Sequence, residues 1–161
     1  MNNNPTSKDV SANGLILTSS AFGEKGDIPL QYTCKGQNTS PPLTISGVPA
    51  SAKSLALIVH DPDAVGSDFT HWVLYDIAVS TTMIAANSLP AGALQGPNGA
   101  GRTGYMGPCP PAGTGIHRYM FELFALDKTF GSQNLKREQL ESAMQGHVLA
   151  KIILTGLFSA D

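Results

Sequence analysis

Residues 107–127, GPCPPAGTGIHRYMFELFALD, restrict the possible folds more than any other stretch. Three prolines in five residues make a stiff loop that cannot join a ladder of hydrogen bonds. The loop runs directly into HRYMFELFAL, which alternates with period two. His117, Tyr119, Phe121 and Leu123 fall on one face, and Arg118, Met120, Glu122 and Phe124 on the other. A rigid loop thus delivers a histidine and a tyrosine to the mouth of a strand, side by side. Polar groups whose positions are fixed before a ligand arrives are what a small-molecule site requires.

The chain around this stretch reads as one β-rich domain. Its 161 residues suffice for a single core, and 17 glycines with 11 prolines suit strands and loops better than helices. Residues 15–19, 28–34 and 43–46 read as short strands, with 23–27 a turn. LALIVH at 55–60 is a continuous apolar run of strand length, placed centrally in a sheet and stopped by Asp61-Pro62. HWVLYDI at 71–77 alternates, and 150–158 returns as a last strand. Between 91 and 115 lie eight glycines and four prolines, a long loop of functional type. One helix is expected over about 136–145, with Asn134 as N-cap and Gly146 past its end. The sum is an all-β fold: an antiparallel β-sandwich of two sheets, Greek-key-like, with one or two peripheral helices near the C-terminus. Residues 1–13 read as a flexible N-terminal tail and 14–161 as the domain.

Composition excludes several classes. Charged residues are 14% and the net charge is −2 with no basic block, so no nucleic-acid surface is indicated. No apolar run is long enough for a transmembrane segment. Residues 1–14 lack the apolar centre of a signal peptide, which favours the cytoplasm, or the periplasm if a signal peptide has been removed. Cys34 and Cys109 are read as free thiols, on the ground that an intracellular chain keeps them reduced; pairing is the alternative.

A second stretch, HDPDAVGSDFTHW at 60–72, supplies acids and a histidine to match the first. With Tyr32-Thr33-Cys34, Ser40-Pro41-Pro42, Asp61-Pro62-Asp63-Ala64, His71-Trp72, Gly107-Pro108-Cys109-Pro110-Pro111, Gly113-Thr114-Gly115, His117-Arg118-Tyr119 and Gly146-His147-Val148 in order, the chain resembles the phosphatidylethanolamine-binding protein family. The eukaryotic branch of that family includes the Raf kinase inhibitor proteins; the cysteine in GPCPP and the compact length resemble the prokaryotic branch. The resemblance implies a small anion pocket lined by Asp61, Asp63, His71, His117 and Tyr119, walled by Cys109, Pro110 and Pro111. It implies phosphate or phosphorylated head groups as ligands, and a homodimer. The sequence departs at Val65, where a proline often follows DPDA, at His60, and at Phe158, which offers no C-terminal aromatic hydroxyl.

From residue chemistry, histidines and a tyrosine meet an anion's oxygens, while the aspartates accept the other ring N–H and fix the tautomer. Arg118, off the pocket face, is expected to anchor the loop through a carboxylate or carbonyls, and His147 to cap or pack. The reading is a non-enzymatic binding protein with no cofactor. The alternative is a regulator or inhibitor of a kinase or protease, acting through loops around the pocket. A hydrolase with Cys109 as nucleophile lacks the basic setting that activates a thiol. A metal site from Asp61, Asp63, His71 and His117 is disfavoured because two acids one residue apart point to opposite sides of an extended chain.

Overall fold

A computed structural model describes residues 14–161; the tail expected over 1–13 lies outside the described residues. The strands are β1 (Ile16–Thr18), β2 (Gly26–Asp27), β3 (Leu43–Ser46), β4 (Ser54–Asp61), β5 (Phe69–Ile77), β6 (Met83–Ile84), β7 (Leu94–Gly96), β8 (Ile116–Leu126) and β9 (Val148–Ser159). One helix, α1 (Arg137–Met144), lies between the last two. The strands form a three-stranded sheet, β1-β3-β6, and a six-stranded sheet, β2-β9-β8-β4-β5-β7. Every pairing is antiparallel except the short β2–β9 contact, which is parallel. The expected sandwich with a helix near the C-terminus is therefore what forms.

The apolar run in β4 has a direct structural reason. β4 lies between β8 and β5 and is buried on both faces, so nothing selects for alternation. Leu55, Leu57 and Val59 join the core between the two sheets. Ala56 and Ile58 enter a second cluster that Leu140 and Met144 of α1 cover from the other side. Burying each of the leucine, isoleucine, valine and methionine side chains contributes roughly 1.5–3 kcal/mol. Both clusters together hold the large sheet as a rigid middle layer.

Four elements differ from expectation. Residues 28–34 do not form a strand: Leu30–Tyr32 make a single 3-10 turn, started by Pro29, whose fixed φ favours a turn and which donates nothing to a ladder. The turn expected at 23–27 contains β2, and the long 91–115 loop contains β7, two elements too short for period-two patterning to reveal. The helix starts after Lys136 rather than after Asn134. Gln139 Oε1 accepts from the Lys136 backbone N–H at 2.9 Å, closing its first turn, while Asn134 sits at φ 59°.

The cysteines also differ from expectation. Cys34 and Cys109 form a disulfide, not two free thiols. Their surroundings hold them together: Cys34 N–H donates to Pro108 O at 3.1 Å, Gly107 N–H to Asn38 Oδ1 at 2.8 Å, and the Tyr105 hydroxyl to Tyr32 O at 2.7 Å. Gly107 is required there, because a Cβ would sit 2.4 Å from Tyr32 O. The bond closes a loop across a sequence separation of 75, for which chain-entropy arguments give roughly 4 kcal/mol of stabilisation. With no free cysteine among the described residues, the thiols give no ground for a reducing compartment.

Candidate functional site

β4 ends where β5 and β8 begin, because both neighbours run antiparallel to it. Asp61 pairs with Phe69, and the first residues of β8 pass alongside. Three strand ends thus open into one cavity of about 240 Å³. Asp61, His71, His117 and Tyr119 form its polar floor, and Cys109, Pro110 and Pro111 one wall. The disulfide pins that wall to the 3-10 turn. Ala64, Val65, Phe69 and Met106, which the sequence reading did not nominate, complete an apolar rim. Phe69 was within reach of sequence reasoning, since it lies two residues before His71 on the same strand face.

The polar floor is fixed by hydrogen bonds. His117 Nδ1 meets Asp61 Oδ2 at 2.7 Å, and both groups are buried. Asp61 Oδ1 accepts the N–H of Asp63 at 2.8 Å, a local turn that orients the carboxylate. On the other side of the ring, His117 Nε2 lies 2.9 Å from Thr114 Oγ1. Thr114 gives its hydroxyl proton to Pro111 O at 2.6 Å, so toward His117 it is the acceptor. Each ring nitrogen of His117 thus faces an oxygen that can accept from it. Gly113 and Gly115, at φ 83° and 80°, allow the tight loop that brings Thr114 back over the ring.

His71 is arranged differently. Its Nδ1 donates to the carbonyl of Met106, not to an aspartate. Burial lowers its pKa, outweighing the carbonyl and Asp61, which pull the other way. The ring packs edge-on against Tyr119 at 5.3 Å and against Phe69 at 5.0 Å. His117 and Tyr119 stack with centroids 6.4 Å apart. Burial, and then the charge of Asp61, push the Tyr119 hydroxyl well above the usual phenol range, so it remains a proton donor.

Asp63 does not join the cavity lining. It turns outward, accepting from Arg118 Nε and Nη2, each at 2.9 Å, and from the Arg118 backbone N–H at 3.0 Å. The hydrogen bond to Arg118 holds its carboxyl at about 2. The pair clasps the 62–68 rim to the start of β8. His147 pairs with Asp127 at 2.8 Å, far from the cavity in sequence and strand position. His60 lies on the opposite face of β4, buried between Asp68 at 2.9 Å and Glu122 at 2.8 Å. Among the described residues no group of histidines, cysteines and acids has the arrangement to hold a metal ion. Nor is any helix long and apolar enough to cross a membrane.

Comparison with known proteins places the chain in a family. The family model described as phosphatidylethanolamine-binding protein matches residues 18–159. The UPF0098 protein of Methanothermobacter thermautotrophicus is 47% identical over 148 residues, covering 88% of this chain and 97% of its own. Among solved structures, a phosphatidylethanolamine-binding protein homologue from Chlamydia trachomatis superposes with a TM-score of 0.87 at 40% identity, covering 93% of this chain and all of that one. Escherichia coli YbcL superposes at 0.84 with 31% identity, covering 91% and 99%. The match spans both stretches that build the cavity, and with them nearly the whole sandwich. The chain belongs to the phosphatidylethanolamine-binding protein family.

Proposed function

We propose that the protein is a non-enzymatic binding protein whose cavity takes phosphate or the phosphorylated head of a small molecule. One observation carries this reading: Asp61, His71, His117 and Tyr119 converge on a cavity of about 240 Å³ behind a covalently anchored proline wall. That size suits a head group rather than a whole lipid. Asp61 fixes the orientation of the His117 ring, as a carboxylate behind a histidine does in many sites. The His117 Nε2–H now shared with Thr114 and the Tyr119 hydroxyl are donors that an anion's oxygens can take over. The residues offer little for turnover. Cys109 is spent in the disulfide, and the Thr114 proton is directed at a backbone carbonyl, away from His117. A disulfide of this kind favours an oxidising compartment.

The test is calorimetric titration of inorganic phosphate and phosphoethanolamine into wild type and His117→Ala. Loss of a charge-assisted hydrogen bond should weaken binding by roughly 10- to 100-fold. Equal affinity in the two proteins would remove His117 from the site.

A further inference from the structure

The two cavity histidines present opposite chemistry. His117 has a carboxylate on one nitrogen and a threonine oxygen that accepts on the other, so it faces the cavity as a donor. His71 spends its ring proton on Met106 O, which leaves Nε2 as an unprotonated acceptor in the neutral ring. Nε2 has no hydrogen-bond partner among the described residues, and no buried side-chain nitrogen or oxygen there goes unsatisfied. The atom must therefore be reached by solvent, and His71 meets solvent where it lines the cavity. The Asp61 carboxylate, a second acceptor and a negative charge, stands in the same floor. Among the described residues, no lysine or arginine lines the cavity.

We propose that His71 selects an oxyanion that still carries a proton: hydrogen phosphate or a singly ionised phosphate monoester, whose P–OH donates to His71 Nε2. The inference rests on the anion-pocket reading and sharpens it. An anion without a proton, such as sulfate or the phosphodiester of an intact phospholipid, would set its lone pairs against Nε2 and the Asp61 charge. A site built to receive a hydrogen bond discriminates strongly against an analogue that lacks the donor. The surroundings of His71 keep it an acceptor. From β4 come Asp61 and, on the reverse face, His60; Asp68 lies in the rim loop; β8 contributes His117 and Tyr119. Asp61 and Asp68 favour a charged ring and His60 opposes one, while burial exceeds them and keeps the ring neutral.

The experiment compares inorganic phosphate with sulfate, and methyl phosphate with dimethyl phosphate, by calorimetry on the wild-type chain at about pH 6.5, where roughly a quarter of a phosphate monoester keeps its proton. Sulfate and dimethyl phosphate should bind roughly 10- to 100-fold more weakly than their proton-bearing counterparts. Sulfate matching phosphate would overturn the proposal while leaving the anion pocket standing. Failure of all four ligands to bind would instead overturn the pocket reading itself. His71→Gln places an amide able to donate near the Nε2 position, and should raise sulfate affinity toward that of phosphate. An unchanged ratio in a folded His71→Gln protein would also overturn the role of His71. If that variant does not fold, the wild-type series alone decides.

Discussion

His60 and His71 are equally buried, each 5% exposed, yet their pKa values move in opposite directions. They lie on neighbouring strands of one sheet and face its two sides. On the cavity side, His71 has one nitrogen on a backbone carbonyl and the other open, so burial prevails and the ring stays neutral. On the helix side, both nitrogens of His60 meet carboxylates. Burial opposes its charge, but the hydrogen bonds to Glu122 and Asp68 outweigh it and raise the pKa. Those carboxylates are held in turn by Lys151 at 3.4 Å and Arg137 at 3.3 Å. Burial alone therefore does not tell a binding histidine from a structural one. The open nitrogen does, because a satisfied network has nothing left to offer a ligand.

The largest expected effect separates the two faces by removing the cavity wall's anchor. Cys34→Ala with Cys109→Ala should lower stability by about 4 kcal/mol in denaturant unfolding, and phosphate affinity should fall with it. The helix-side network, which the disulfide does not touch, should keep its pH signature; losing both would show that the faces are not independent. Next in size is Asp61→Ala. It leaves the buried His117 without its carboxylate and the Asp63 N–H without its acceptor, at about 3 kcal/mol. Phosphate binding should be abolished, because the His117 ring is then free to turn. An Asp61→Ala protein that binds phosphate as wild type does would break the assignment of the floor.

His60→Gln tests the other face, with a smaller loss of about 2 kcal/mol and no change in phosphate affinity. Because the folded pKa of His60 is raised, its stabilisation is fully present below its unfolded value of about 6.5 and is lost as pH rises through the folded value. The gap in melting temperature between wild type and His60→Gln should be wide at about pH 5.5 and narrow at about pH 8.5. A gap that widens with pH would mean that the ring is neutral in the folded state.

The sequence made the framework legible where patterning was long. HRYMFELFAL and HWVLYDI gave strands within two residues of their ends, and the continuous run at 55–60 gave the central strand. His71, His117, Tyr119, Asp61 and the 109–111 wall were nominated together and lie together. What stayed hidden depended on tertiary pairing. β2, β6 and β7 have two or three residues each and exist only because a neighbour's edge receives them. The disulfide joins residues far apart in sequence, and two cysteines carry no spacing rule. The different partners of His71 and His117 were equally invisible, since a backbone carbonyl acts as an acceptor without any side-chain signature. His60, adjacent to Asp61, could not be assigned a face until the strand was seen to be buried on both sides.

The smallest effect concerns the one nominated residue that the structure turns away from the cavity. Arg118 is exposed and holds Asp63 through its side chain and backbone. Asp63 is ionised in both folded and unfolded chains at neutral pH. Its lowered pKa therefore adds stability that is present above the ordinary value of 3.8 and lost as pH falls toward about 2. Arg118→Ala should leave the neutral-pH melting temperature nearly unchanged, as exposed ion pairs contribute little. The cost should instead show as a slightly earlier acid transition. Phosphate affinity should also be unchanged, because the pair clasps the rim from outside and contributes no atom to the floor. A clear loss of affinity in Arg118→Ala, matched by Asp63→Asn, would mean that the clasp sets the cavity's shape. Asp63 would then belong to the site through the rim it holds rather than through contact with the anion.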